Sequence, residues 1–342
     1  MRRILAALFT VFLLSTAFAD EGKLKIGVSL PLSGEVAPMG LAFRRGLDLY
    51  SKDFPLSALQ FTYEDHRYDG KSALSALHKL HKVDNTALQI VWGNMPGDTC
   101  APIAEQNHIP LIAISMNPVA KGRKYVVSLG PPTDKLLAEA AKKLEEWKVG
   151  HAAAVSIDIG NALEALEMLK TKLRGALKIT KIANEENDFK TLIMKLKSAD
   201  VDGLFLLMLP RQAITFLRQS KQLDFHPKII GGDVFADMEF QKEAAQYTDE
   251  LFYVYGATDE TFVSRLKNEM GTGSYFFEAA TGYSLGMILE QTAVKAEGRG
   301  EMLQELGSVS TAGAPLTGLR LLRTLEYGLH FETQGAIYKA VR

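Results

Sequence analysis

"GVSLPLSGEVAPMGLAFRRGLDLY", residues 27–50, runs from a buried strand into an amphipathic helix, with Pro31, Ser33, Gly34 and Pro38 crowded into the turn between them. A strand-to-helix junction leaves unpaired backbone N–H groups at the helix start, and in open α/β sheets ligands collect outside the carboxyl ends of the strands. The turn is a candidate binding edge, and the fold follows from whether this unit repeats.

It repeats twice over. Short Ile/Val/Leu runs predict strands at 24–30, 59–64, 88–92 and 110–115, and helical patterns between them centre on 41–51, 72–81 and 99–106. After a polar, glycine-containing bridge, "NPVAKGRK", the alternation resumes with strands at 152–157, 178–183, 204–209 and 228–231 and helices at 162–174, 189–197 and 211–222. Alternation of this kind argues for βαβ units and parallel sheets. The last third is less regular: "SYFFEAATGYSLGMILEQTAVKA" has helical apolar spacing, and "GLRLLRTLEYGLHFETQGAIYKAVR" reads as strands and turns added to the existing lobes. A cleft between two such lobes would be lined by strand-end turns from both.

The chain has 342 residues, room for roughly two domains. Its 39 basic and 40 acidic residues leave a net charge of -1, so it has no electrostatic footprint for nucleic acid. "MRRILAALFTVFLLSTAFAD" begins with Arg2 and Arg3, continues apolar and ends in Ala17-Phe18-Ala19, the pattern of a signal peptide cleaved after Ala19. The mature protein is then expected to begin at Asp20, free in the periplasm, since no Cys follows the cut to carry a lipid. With Cys100 the single cysteine, an exported chain has no internal disulfide and depends on its core.

Catalytic patterns are mostly missing. Gly282-Tyr283-Ser284-Leu285-Gly286 matches the G-x-S-x-G nucleophile elbow, with His330 downstream, but the elbow needs a strand before it and helical sequence flanks this match on both sides. The small residues there are better suited to close helix packing. His78 and His81 share a helix face, with His66 nearby, but no third or fourth metal ligand stands at a telling spacing. "GTGSYF" lacks the third glycine of a dinucleotide fingerprint and follows a helix, and no phosphate loop occurs. Neither a metal nor a cofactor is expected, and binding without catalysis becomes the leading class.

Six stretches in order, "LKIGVSLPLSGEVAPMGLAFRRGLDLY", "FTYEDHRYDGKSALSALHKL", "IVWGNMPGDTCAPIAEQNHIPLIAIS", "NDFKTLIMKLKSADVDGLFLL", "FLRQSKQLDFHPKIIGGD" and "AATGYSLGMIL", carry a resemblance to the type 1 periplasmic binding proteins of the leucine/isoleucine/valine-binding family. The resemblance implies two doubly wound α/β lobes joined by a hinge that the chain crosses three times. It assigns 20–117 and 257–317 to lobe 1, and 118–256 and 318–342 to lobe 2. It also implies a monomer that closes on a small-molecule solute and presents it to an ABC permease. The same clamp could instead signal to a membrane kinase or chemoreceptor; a serine hydrolase is the remaining alternative.

The resemblance also places the pocket. Met39 stands near the aromatic that follows the first strand in the family. Asn94, Met95, Pro96 and Gly97 occupy the turn that offers the family's serine to a ligand carboxylate. A shortened "SMNP", with Ser115, Met116 and Asn117, replaces the S-x-x-x-T-N-P turn whose threonine holds an amino-acid head group. Ile159 and Met208 or Leu209 fall where tyrosines are usual, Tyr275 matches a late aromatic, and Asp233 looks like the acid that takes the ligand ammonium. The acid is kept and the carboxylate grip is not. The expectation is an apolar solute, with or without an amine, unless the methionines pack the lobe cores instead of lining the cleft.

Overall fold

The computed structural model describes residues 23–340 except 131–132, 158–159, 174–176, 184, 271–273 and 296–301. Residues 1–19, expected as a signal peptide, lie outside it. The first half-chain contains β1 (Leu24–Leu30), α1 (Ala37–Asp53), β2 (Leu59–Asp65), α2 (Gly70–Lys82), β3 (Leu88–Trp92), α3 (Asn94–Gln106), β4 (Leu111–Ile114) and β5 (Val126–Leu129). Then follow α4 (Thr133–Glu146), β6 (Ala152–Ile157), α5 (Gly160–Lys172), β7 (Leu177–Ile182), α6 (Lys190–Ser198), β8 (Gly203–Leu207), α7 (Pro210–Gln222) and β9 (Lys228–Gly231). A short 3₁₀ turn, Asp233–Ala236, precedes α8 (Met238–Ala244), β10 (Phe252–Gly256), α9 (Glu260–Met270), α10 (Phe276–Lys295), α11 (Met302–Glu305), β11 (Arg320–Thr324), β12 (Gly328–Glu332) and β13 (Gly335–Lys339).

The strands form two sheets, ordered β11-β12-β5-β4-β3-β1-β2 and β13-β10-β9-β8-β6-β7. Each is parallel through its centre, with one antiparallel strand at an edge, β11 or β13. Ile26, Val28 and Leu30 of β1 are wholly buried, as strands covered by helices on both faces must be. Each such side chain contributes about 1.5–3 kcal/mol. Strand order reverses between β1 and β3 in one sheet and between β6 and β8 in the other, and these two switch points set the position of the cleft.

Helices α1 and α10 cross closely on the first sheet. A side chain at Gly46 would run into the Ala279 carbonyl, and one at Gly282 into the Phe43 carbonyl. Ser284 is buried in the middle of α10 and donates to the Ala280 carbonyl at 2.6 Å. The G-x-S-x-G match is thus a helix contact with no elbow.

The lobe boundaries need correction. The polar stretch 117–124 is only the loop between β4 and β5. The buried "VVSL" of β5 pairs with β4 and completes the first sheet, and β12 pairs with β5 to extend it. Residues 118–130 and 318–332, expected in lobe 2, therefore belong with the first sheet. The chain changes sheet after β5, after β10 and between β12 and β13. At the hinge Ala257 N–H donates to Gln334 O (2.8 Å), Gln334 N–H to Thr317 O (2.9 Å) and Thr317 N–H to Ala257 O (3.2 Å). Lys135 on α4 reaches back across it to pair with Glu332 at 2.5 Å.

Candidate functional site

A cavity of about 220 Å³ lies where the two switch points face each other. It has the volume of roughly seven bulk waters. The first lobe supplies Val36 and Met39 from the start of α1, Tyr68 from the β2–α2 turn, Trp92–Asn94 and Ile114–Met116 from strand ends, and Phe277, Glu278 and Thr281 from α10. The second supplies Thr133, Leu136 and Leu137 of α4, Ile157, Phe205, Leu207–Leu209, Gly232–Val234, and Val254 and Tyr255 of β10. Two hydrogen bonds join the lobes at its rim: Met238 N–H to Ser274 Oγ (2.7 Å) and Tyr275 Oη to the Val234 carbonyl (3.5 Å).

At the strand ends of the first lobe, the Ser115 hydroxyl and the Met116 N–H are already used. Asn94 Oδ1 accepts from Ser115 Oγ (3.1 Å) and from Met116 N–H (2.7 Å). Ser115 Oγ accepts in turn from Asn117 N–H at 3.1 Å, and Asn117 Nδ2 donates to Asp98 at 2.6 Å. The Tyr68 hydroxyl lies beside the backbone of Asn94 and Met95 at the N-terminus of α3. Burial first, and then the charge of Asp233, push that phenol up to about 12.

Local geometry holds Tyr68 in this position. Arg67 and Tyr68 both take positive φ, 51° and 58°, an uncommon conformation for large side chains that is kept only where surroundings enforce it. Asp65 accepts from Leu32 N–H, Ser33 Oγ and Arg67 N–H, and Tyr68 N–H donates to His66 Nδ1 at 3.0 Å. Burial lowers the His66 pKa to about 4, so the ring stays neutral and can accept that bond. Gly93, at φ 109°, makes room: a Cβ there would lie 2.5 Å from Tyr68 Cε2.

The polar groups left over are acidic or hydroxylic. Asp233 opens the 3₁₀ turn, and its Oδ1 accepts from Val234 N–H at 2.9 Å. Burial raises its pKa against that bond. Glu278 is 6% exposed, its Oε2 has no partner, and burial followed by the charge of Asp233 pushes its pKa well up. The Tyr255 hydroxyl, on a side chain also 6% exposed, is unpartnered too. Among the described residues no Lys, Arg or His lines the cavity.

Of the residues singled out by sequence, Met39, Asn94, Ser115, Met116, Met208, Leu209 and Asp233 line this cavity. The others do not. Because α3 starts at Asn94, each following residue turns about 100° away from the cleft. Met95 is 44% exposed, while Pro96 and Gly97 are buried, Gly97 against Ser115. Asn117 is spent on Asp98, Tyr275 packs at the rim beside Val234, and Ile159 lies outside the described residues. Sequence reading missed Tyr68, Trp92, Tyr255, Phe277 and Glu278. A lone carboxylate inside the apolar "FFEAATGYSL" was the available signal for Glu278.

The Periplasmic binding protein family model matches residues 23–332. Leu/Ile/Val-binding protein homolog 6 of Brucella abortus (strain 2308) is 22% identical over 256 residues, which are 71% of this chain and 65% of that protein. The match thus spans a little under two thirds of that relative. A leucine-binding protein, LivK, from Thermotoga maritima superimposes with a TM-score of 0.79 at 18% identity, covering 92% of this chain and 94% of that one. An ABC-transporter solute-binding protein from R. palustris, solved with benzoate, gives 0.76 at 18% identity and 94% coverage of both chains. LivJ from Streptococcus pneumoniae, solved with isoleucine, gives 0.72 at 17% identity, covering 92% of this chain and 95% of that one. This chain belongs to the periplasmic binding proteins, in the type 1 leucine/isoleucine/valine-binding family.

Proposed function

We propose that this periplasmic binding protein is a non-catalytic solute receptor that captures a small apolar compound bearing an amine and delivers it to an inner-membrane ABC permease. The observation that carries the reading is the cavity shared by the two lobes. Its walls are apolar, an acid stands in it, and among the described residues no basic side chain answers that acid. Met39, Asn94, Ser115, Met116, Met208, Leu209 and Asp233 are the proposed contacts. Residues 1–19 direct the chain to the periplasm, where it acts as a monomer.

An α-amino acid would have to place its carboxylate against the Ser115 hydroxyl and Met116 N–H, donors that Asn94 already occupies. Burying that carboxylate without donors costs several kcal/mol, whereas methionine and leucine walls adapt readily to an apolar body. A solute touching both lobes stabilises the closed arrangement because only that arrangement offers all the contacts. Addition of isopentylamine is expected to lower the radius of gyration in small-angle scattering. At a hundred times its Kd it should stabilise the fold by about 2.7 kcal/mol. Scattering and melting curves unchanged at millimolar amine, with a response to leucine instead, would overturn the amine reading.

A further inference from the structure

We infer that Glu278 of the first lobe and Asp233 and Tyr255 of the second form a three-oxygen seat for a primary ammonium, closed only when the lobes meet. This rests on the solute-receptor reading above and names the chemistry of its polar end. Glu278 projects from the first turn of α10, Asp233 from the turn after β9, and Tyr255 from β10, and all three line the one cavity. Glu278 Oε2 and Tyr255 Oη are buried acceptors without partners, which an unoccupied core does not tolerate cheaply. A primary ammonium brings three N–H donors and one positive charge, and so supplies the donors that Glu278 Oε2 and Tyr255 Oη lack and a counter-charge for Asp233.

The charge balance points the same way. Two carboxyl groups facing one apolar cavity resist double ionisation when no cation is present. The titratable groups around the pair are Tyr68, Tyr255 and Tyr275, with Asp237 behind Tyr275; no cationic side chain faces it among the described residues. Burial and mutual charge raise both carboxyls, so the ligand-free pair holds a proton to higher pH than a free carboxylate does. When the solute arrives as R–NH₃⁺, that proton leaves to solvent, and both carboxylates then accept from the ammonium. The site acquires one positive charge and releases one, so affinity rises with pH as long as the ligand-free pair still carries that proton.

The test is calorimetry with 2-phenylethylamine, its N,N,N-trimethyl derivative and the neutral 2-phenylethanol, in two buffers of different ionisation heat, on wild type, Glu278→Gln and Asp233→Asn. Wild type is expected to bind the primary amine at least ten-fold more tightly than the trimethyl compound and to release up to one proton. Glu278→Gln should weaken the amine ten-fold or more and abolish the proton release, with a far-UV circular dichroism spectrum matching the wild type as the control for an intact fold. Tight amine binding with unchanged affinity and proton release in Glu278→Gln would overturn the seat while leaving the receptor reading in place. Preference of wild type for neutral 2-phenylethanol over both amines, or failure of every amine to bind, would overturn both.

Discussion

Replacing Tyr68 by Phe removes one oxygen and leaves the ring against Gly93 and Trp92, so it tests whether that hydroxyl is the plug on the α3 N-terminus. The hydroxyl that is removed lies beside the backbone N–H groups of Asn94 and Met95 at the start of α3. An orphaned buried donor costs about 1–3 kcal/mol. Here the donors face a cavity of about 220 Å³, so water can replace part of the loss. The net expectation is a destabilisation of about 1–2 kcal/mol for the pair. The same change uncovers the N-terminus of α3, whose first N–H groups have no intrahelical acceptor and favour an anion. The charge of Asp233 stands close by and opposes an anion, so the gain should appear in Tyr68→Phe/Asp233→Asn and not in Tyr68→Phe alone. Urea unfolding measures the first effect, and calorimetry with 4-methylpentanoate measures the second, as a ten-fold or greater gain over wild type. A Tyr68→Phe midpoint equal to wild type, together with no carboxylate gain in the double variant, would refute the plug.

Gly282→Val forces α1 and α10 apart against a backbone carbonyl that cannot swing away, and should cost more than about 3 kcal/mol in urea unfolding, or prevent folding. Arg265 donates to both oxygens of Asp53 at 2.6 Å and holds that carboxyl below its usual range. Its contribution is present at neutral pH and is lost as pH falls through the depressed folded pKa. Arg265→Gln should therefore lower stability at pH 7 by about 1 kcal/mol, discounted for partial exposure, with the difference from wild type fading below about pH 4. Glu278 has the opposite sign: its raised pKa favours the ligand-free fold at low pH and costs stability as pH rises through the folded value. Glu278→Gln should accordingly raise the ligand-free unfolding free energy, measured in urea, at pH 8 more than at pH 5, by about 1–3 kcal/mol at most.

The βα rhythm was legible because buried parallel strands read as apolar runs bounded by turn residues. β1, β3, β6 and β9 stand where the pattern placed them. Helix starts were placed late, at 41, 72 and 99 against Ala37, Gly70 and Asn94, because first turns are rich in Pro, Gly and polar residues and carry little periodicity. β5 was hidden by its own brevity and by the polar loop before it. The cavity was half legible. Strand-end positions such as Asn94, Ser115, Leu209 and Asp233 follow from topology alone. Tyr68, Tyr255 and Glu278 reach the cavity through a left-handed turn, an edge-proximal strand and a helix from the far third of the chain, which are tertiary facts that no local spacing records.

Leucine, isopentylamine and 4-methylpentanoate share one apolar body and differ only in carrying both head groups, the amine alone or the carboxylate alone. Titrating the three into the wild-type protein by calorimetry separates the possibilities in one series. Isopentylamine is expected to bind at least ten-fold more tightly than either of the others; leucine or 4-methylpentanoate binding more tightly than isopentylamine would contradict the reading of this cavity as a seat for an apolar amine.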